Sequence, residues 1–187
     1  ALAHVTAQTK PWFIAAGFRR PHTPFKMPTA FWEMYNESEI VLATNAAFPT
    51  DAPAIAYHQA GFDIGSVNGA KPTLIEMKPD INQPFPDDIS RAIRRAYYAC
   101  VSFQDSQIGR VLSAVDALPA AQQPVVALVG DHGWHLGEYS MYHKFANFEL
   151  TTRVPFMVRS PAHPASAGKR TAALAGCEKR LRLSSLH

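Results

Sequence analysis

The sequence predicts an α/β fold with a mainly parallel sheet flanked by helices. Two short apolar runs, residues 12–18 and 125–129, each follow a proline and end in polar residues or glycine. Continuous apolar runs of this length are typical of strands buried on both faces, as in parallel sheets. Between them, residues 87–118 repeat apolar side chains every three or four positions, which indicates a long helix. The order of strand, helix and strand favours a parallel α/β sheet.

The first part of the chain is predicted to hold one strand and then mostly irregular structure. Residues 12–18 form the strand, and residues 19–28 contain three prolines, which interrupt regular structure. Residues 31–35 are expected to make a short helical turn. Residues 36–86 are rich in Pro, Ala, Asn and Gly with weak periodicity, so we expect a long excursion over the surface.

The long helix has clear start and stop signals. It is predicted to begin after Pro86, where Asp87 and Asp88 complement the helix dipole, and to end before Pro119. One apolar stripe runs along its length: Ile89, Ile93, Tyr97, Cys100, Ile108, Val111, Val115 and Leu118.

The last part of the chain returns to strand patterns and then loses them. Residues 125–129 are predicted as a strand, 145–152 as helix or turn, and 154–158 as another strand. Residues 162–187 are rich in Ala, Ser, Lys and Arg without a strand pattern, so we expect a divergent and poorly ordered tail. The predicted structured unit is therefore residues 1–161.

Composition narrows the function classes. An apolar content of 47% favours a globular protein over a disordered one. The net charge is only +3 with scattered basic residues, and we interpret the Arg91, Arg94 and Arg95 group as a solvated helix face, so no nucleic-acid partner is expected. The apolar runs are too short to span a bilayer, and no membrane partner is expected. Cys100 and Cys177 form no C-x-x-C motif, and Cys100 on the apolar stripe is predicted to be a buried thiol.

A possible metal site follows the second predicted strand, at Asp131-His132-Gly133. Polar residues at the carboxyl ends of parallel strands commonly bind ligands. The carboxylate and the imidazole are both metal ligands, and Gly133 would allow close approach of the backbone. The alternative is that Asp131 caps a turn and His132 is a surface residue. The pair does not name the metal, because calcium and magnesium prefer oxygen while zinc readily takes imidazole.

Three further residues have both a chemical and an ordinary interpretation. Lys144 is either a solvated lysine or a charge facing an anion bound at the metal. His22, predicted at the same sheet edge as Asp131, is either a surface histidine or a proton donor and anion contact. Trp134 either packs structurally or stacks on a sugar or aromatic substrate. Asn36 begins the sequon Asn-Glu-Ser, which weakly favours a secretory route.

Taken together, three separated segments resemble the sulfatase family, within the alkaline-phosphatase-like superfamily. They are K-P-W-F-I-A-A-G-F-R-R-P-H-T-P-F at residues 10–25, R-A-Y-Y-A-C-V-S-F-Q-D-S-Q-I-G-R-V-L-S-A-V-D-A-L at residues 95–118, and D-H-G-W-H-L-G-E-Y-S-M-Y-H-K-F-A-N-F-E at residues 131–149. The resemblance covers about Lys10 to Pro161, and three motifs in this order are far more specific than any one of them.

The resemblance implies roles for the residues of these segments. Asp131 and His132 would bind calcium. His22 and Lys144 would contact the sulfate group and help the ester oxygen leave, and Trp134 would line the substrate pocket.

The resemblance also implies a reaction and a location. The reaction would be lysosomal removal of a 2-sulfate from iduronate, with sulfated glycosaminoglycans (dermatan and heparan sulfate) as substrates. Asn36 falls near a position that is glycosylated in such enzymes.

The chain departs from the family pattern at the nucleophile. The family uses a cysteine in C-x-P-x-R, converted to formylglycine, and neither Cys100 nor Cys177 fits. The paired aspartates that complete the calcium site, and a lysine and histidine that assist the nucleophile, are also missing. We therefore interpret residues 1–161 as an incomplete part of the catalytic domain, inactive alone, whose partner is the remainder of that domain. Two alternatives stay open: a zinc phosphomonoesterase or phosphodiesterase of the same superfamily, and a non-catalytic truncated homologue.

Overall fold

The computed structural model describes residues 10–58, 80–81, 83–142 and 144–163. None of the helices in these ranges has the length and apolar character needed to cross a membrane. The regular elements are the helices Thr29–Glu33, Asp87–Asp116 (the long helix) and Glu149–Thr152, the strands β1 (Val126–Val129) and β2 (Phe156–Arg159), and single 3₁₀ turns at Glu37–Glu39, Ala54–Ala56, Ala120–Gln122 and Glu138–Ser140.

The prediction of the long helix is confirmed. The helix follows Pro86 and has Asp87 and Asp88 in its first turn. It ends at Asp116, two residues before the predicted end at Leu118. Its buried residues are concentrated in the first half: Ser90, Ile93, Ala96, Ala99 and Cys100, joined by Val115 near the end. This half of the helix carries the core of the described protein.

The core lies between the long helix and two loops, and not on the sheet. Its buried cluster consists of Phe25, Phe85, Ile93, Ala96, Cys100, Leu136 and Tyr142. Phe25 comes from the loop that carries His22, while Leu136 and Tyr142 come from residues 131–142, which we call the site loop. Neither β1 nor β2 contributes a residue to this cluster, so the prediction that the helix packs on one face of the sheet is wrong for the described residues.

A parallel arrangement of the two strands in the described residues is also wrong. β1 pairs with β2 in antiparallel register, from Val126 opposite Arg159 to Val129 opposite Phe156. Parallel pairing needs a crossover that returns the chain to the same end, usually through a helix. The intervening residues instead fold back on the helix core, and their α-helix, Glu149–Thr152, has only four residues.

Residues 12–18, predicted as a strand, lie outside any strand in the structure. Phe13 is 89% exposed, so the apolar run is not buried as the prediction required. A run of this kind becomes a strand only when neighbouring strands pair with it, and no described segment does so. Two other predictions fall outside the described residues altogether: Cys177 and positions 164–187 of the tail.

Cys100 is fully buried, as predicted, and burial raises the pKa of its thiol from 9.0 to about 11. The folded protein therefore keeps this proton at pH values where the unfolded chain has lost it. The associated stability is complete below pH 9 and disappears as the pH rises toward 11.

We expect the free energy of unfolding to fall across this alkaline interval, measured by urea titration at a series of pH values. Cys100→Ala should give a flatter profile over the same interval because it removes the titrating group. Val101→Ala, at the exposed neighbouring position, should keep the wild-type slope. Identical slopes for wild type and Cys100→Ala would contradict the assignment.

Candidate functional site

The side chains singled out from the sequence meet around the indole ring of Trp134. The ring centroids of His22 and His132 lie 6.1 and 6.2 Å from that of Trp134. The Lys144 ammonium nitrogen lies 5.9 Å from the same ring. Two basic rings and one ammonium group therefore surround one aromatic surface. Three of the four side chains predicted to converge, those of His22, His132 and Lys144, thus lie around one ring. Their convergence at the edge of a sheet and the roles of these residues remain predictions.

Trp134 itself is half buried and packs on the core. Its neighbours there are Phe25 and Tyr97, with ring centroids 6.4 and 6.0 Å away. The structural packing considered for this tryptophan is thus present. Because the ring also contacts the three cationic or titratable side chains, it links the core of the protein to the candidate site.

Arg20 anchors the loop that carries His22 through two hydrogen bonds to its backbone. One guanidinium nitrogen of Arg20 donates to the carbonyl oxygens of both His22 and Pro24, at 2.7 and 2.8 Å. The Nδ1 atom of His22 lies 2.6 Å from the Thr23 carbonyl, so in the neutral ring it is the donor and Nε2 keeps its lone pair. This orientation leaves Nε2 as the nitrogen able to accept or deliver a proton.

Asp131 and His132 form a pair with the geometry of two neighbouring metal ligands. The Nδ1 atom of His132 lies 2.8 Å from the Gly133 carbonyl, which fixes the tautomer as it does in most metal-binding histidines. The Nε2 atom lies 3.6 Å from Oδ2 of Asp131, whose side chain is 90% exposed. Two atoms each bound to calcium at roughly 2.4 Å and at right angles are about 3.4 Å apart.

The pair supplies only part of a calcium site. Across the described ranges no group of three or more His, Cys, Asp and Glu side chains is arranged to hold a metal ion. Calcium takes roughly six to eight ligands, which are mainly oxygen atoms. One carboxylate and one imidazole therefore do not suffice. Asp131 and His132 therefore fit as two ligands of a site that needs others.

Gly133 has a packing role in the structure. Its amide donates to the Thr151 carbonyl at 2.7 Å, and a Cβ at this position would overlap the Leu150 carbonyl oxygen. The glycine therefore allows the site loop to lie directly on the Glu149–Thr152 helix. It serves packing between two segments, while the approach of its backbone to a ligand remains a prediction.

A turn in left-handed backbone conformation leads from Trp134 toward Lys144. Gly137, Tyr139 and Ser140 have φ values of 110°, 57° and 61°. Such values are costly for residues other than glycine and persist only where surrounding contacts impose them. Here the amide of Tyr139 donates to the Asn45 carbonyl at 2.9 Å, and the hydroxyl of buried Tyr142 hydrogen-bonds to Ser90 of the long helix at 2.8 Å.

The interpretation of three helix arginines as a solvated face is wrong for two of them. The side chains of Arg94 and Arg95 are only 12% and 18% exposed. Arg95 contacts Glu37 at 3.4 Å and lies 4.0 Å over the Trp32 ring, while Arg94 pairs with Glu138 at 3.4 Å. Their partners lie more than forty residues away in sequence. Helical spacing alone could not reveal these contacts.

Two further features lie at the surface of the described residues. Asn36 is exposed, and its side chain accepts a hydrogen bond from the Ser38 amide at 3.2 Å. A shallow groove of about 260 Å³ follows Lys144, lined by Ile55, Ala56, Phe145, Ala146, Asn147 and Phe148.

Comparison with known proteins adds an independent observation. The chain matches the family described as Sulfatase over residues 1–178. It is 37% identical over 164 residues to iduronate 2-sulfatase of Mus musculus and 36% identical over 165 residues to that of Homo sapiens, which in both cases covers 88% of this chain. It is also 31% identical over 83% of its length to a sulfatase of Formosa agariphila. The chain spans 29%, 29% and 28% of the lengths of these three curated relatives.

Proposed function

Because this chain belongs to the sulfatase family, we propose that the protein hydrolyses sulfate esters and that its substrate is a 2-sulfated iduronate residue of a glycosaminoglycan. The observation that carries the proposal is the convergence of His22, His132 and Lys144 on the Trp134 ring. The similarity to two iduronate 2-sulfatases supports the substrate. Dermatan and heparan sulfate are the polymers that carry this unit.

The charges at the cluster suit an anionic ester. In this proposal the Lys144 ammonium and the imidazole of His22 contact the sulfate group. As the ester bond breaks, negative charge grows on the departing oxygen, and a fixed ammonium group stabilises it more than it stabilises the bound substrate. His22, whose Nε2 is free of the Thr23 contact, delivers or accepts the proton. Trp134 offers an apolar surface for the sugar ring.

Calcium fits the proposal through Asp131 and His132, as two of its ligands. When bound it would supply positive charge close to the sulfate group. The remaining ligands and the nucleophile are proposed to come from the rest of the catalytic domain, within a mainly parallel sheet. This matches the departures noted in the sequence, where neither cysteine lies in C-x-P-x-R.

The proposal is tested with the purified whole protein and a fluorogenic iduronate 2-sulfate. We expect calcium-dependent release of sulfate, and little turnover of the phosphate ester of the same sugar. The 187-residue chain alone should show no turnover. Preference for the phosphate ester with zinc would identify a phosphoesterase instead. Inactivity of the whole protein toward both esters would identify a non-catalytic homologue.

We also propose that the protein is a lysosomal glycoprotein modified at Asn36. The exposed sequon and the two iduronate 2-sulfatase relatives support this. Protein expressed in mammalian cells should lose mass on treatment with an N-glycosidase. The mass lost by Asn36→Gln should be smaller than that lost by the wild type, by the mass of one glycan. The control Asn147→Gln, at a position outside any sequon, should leave the mass loss unchanged. An unmodified Asn36 in the peptide map would contradict the proposal.

A further inference from the structure

One ion pair holds the peptide groups on both sides of Leu136 in the site loop. The Leu136 amide donates to Oε2 of Glu138 at 2.6 Å, and the Leu136 carbonyl accepts from Nη1 of Arg94 at 3.2 Å. The other guanidinium nitrogen of Arg94 meets Oε1 of Glu138 at 3.4 Å. The three contacts close a ring, which we call the Leu136 clamp.

The Leu136 clamp is mostly removed from solvent. The side chains of Arg94 and Glu138 are 12% and 16% exposed, and Leu136 belongs to the buried core. Hydrogen bonds between charged groups are stronger when water is excluded, and breaking one partner leaves the other charge buried and unpaired. The ring therefore resists distortion of the loop backbone far more than an exposed pair would.

The clamp fixes one side of Trp134, and other contacts fix the opposite side. One residue separates Trp134 from Leu136, the buried His135, whose Nδ1 atom lies 3.1 Å from the Thr151 hydroxyl. On the other side, the Gly133 amide donates to the Thr151 carbonyl. Trp134 is thus held between two anchored peptide groups, with its ring directed toward His22 and Lys144.

We propose that Arg94 and Glu138 are positioning residues for the reaction. The clamp sets the place of the Trp134 ring and thereby the spacing of His22 and Lys144 around the sulfate group. This inference rests on the proposed function. Neither Arg94 nor Glu138 is proposed to touch the substrate, and their effect is transmitted through the backbone of Leu136.

The test uses the whole protein with Glu138→Gln, which keeps the size and an acceptor oxygen but removes the charge, and with Arg94→Met. We expect kcat to fall by about 10- to 100-fold, as a displacement on the order of 1 Å of catalytic groups produces, with KM changed by less than about threefold. The matched control is Glu149→Gln, from an exposed Glu149–Arg153 pair at 3.7 Å, which should leave kcat within about twofold.

A second measurement separates positioning from loss of folded protein. For this measurement kcat is compared across sulfate esters whose leaving groups differ in basicity. In both clamp variants kcat should fall more steeply as the leaving group becomes more basic, because Lys144 would no longer face the departing oxygen. Partial unfolding would reduce the amount of active enzyme without changing that slope. A wild-type slope in Glu138→Gln, or an equal loss in Glu149→Gln, would overturn the proposal.

Amide hydrogen exchange tests the clamp independently of any activity. The amides of residues 134–136 should exchange at least about tenfold faster in Glu138→Gln, while those of the long helix should be unchanged. If the wild-type protein hydrolyses no sulfate ester, the proposed function fails, and unchanged exchange at residues 134–136 would remove the clamp as well. Faster exchange in an inactive protein would support the clamp as the device that orders this cluster and refute only the sulfatase proposal.

Discussion

Replacing Lys144 with alanine in the whole protein should lower kcat for an iduronate 2-sulfate by about 100- to 1000-fold. The ammonium nitrogen lies 5.9 Å from the Trp134 ring and 5.8 Å from the Phe145 ring, so it is held at the aromatic surface proposed to receive the sugar. The ammonium group is proposed to stabilise negative charge on the departing oxygen, and this charge develops only as the ester bond breaks. The change should therefore lower kcat more than it lowers the affinity for substrate.

The control for Lys144→Ala is Lys26→Ala. Lys26 is exposed and lies directly after the loop that carries His22. Its kcat should stay within about twofold of wild type, as expected for a surface charge. The loss in Lys144→Ala should also be largest for substrates with the most basic leaving groups. Equal effects from the two changes would show that Lys144 is an ordinary solvated lysine.

Gly133→Ala should lower the free energy of unfolding by about 3 kcal/mol or prevent folding of the site loop. The new methyl group would overlap the Leu150 carbonyl oxygen, which is backbone and cannot rotate away. Relief would require separating the site loop from the Glu149–Thr152 helix and losing the hydrogen bond from the Gly133 amide to Thr151.

Gly109→Ala is the matched control because a Cβ there meets nothing within 4 Å. Gly109 lies inside the long helix, where alanine is preferred by about 0.5–1 kcal/mol, so this change should raise the free energy of unfolding. Chemical denaturation of both variants gives the comparison. A Gly133→Ala protein as stable as wild type would show that the two segments do not pack as described.

The sequence allowed the long helix to be predicted almost to the residue because its signals are local. Apolar spacing, the aspartates after Pro86 and the stop at Pro119 all lie on or beside the helix itself. Strand pairing is not local, which explains why β1 and β2 were located within two residues but assigned the wrong direction. Family membership confirms the predicted α/β class, while the described residues contain only this antiparallel pair.

The candidate site shows the same division between local and distant information. The side chains that the motifs singled out lie near one another: His22, His132 and Lys144 around Trp134, and Asp131 beside His132. However, His22 does not follow a strand in the structure. The supporting residues were missed because each depends on a distant partner. Arg94 and Glu138 are 44 positions apart, and no periodic pattern links them.

In the 187-residue chain taken alone, the apolar sheet formed by β1 and β2 is a predicted site of aggregation. Phe156, Met157 and Val158 are 67%, 58% and 55% exposed, and alternation along the strand directs them to both faces. An apolar strand of this kind readily pairs with strands of other molecules. The apolar run ends at Arg159, whose guanidinium group lies 2.7 Å from the Asp116 carboxylate. A charged residue that flanks an apolar strand opposes its pairing with strands of other molecules. Loss of Arg159 should therefore appear first as insoluble protein, with the molecules that stay in solution keeping their site intact.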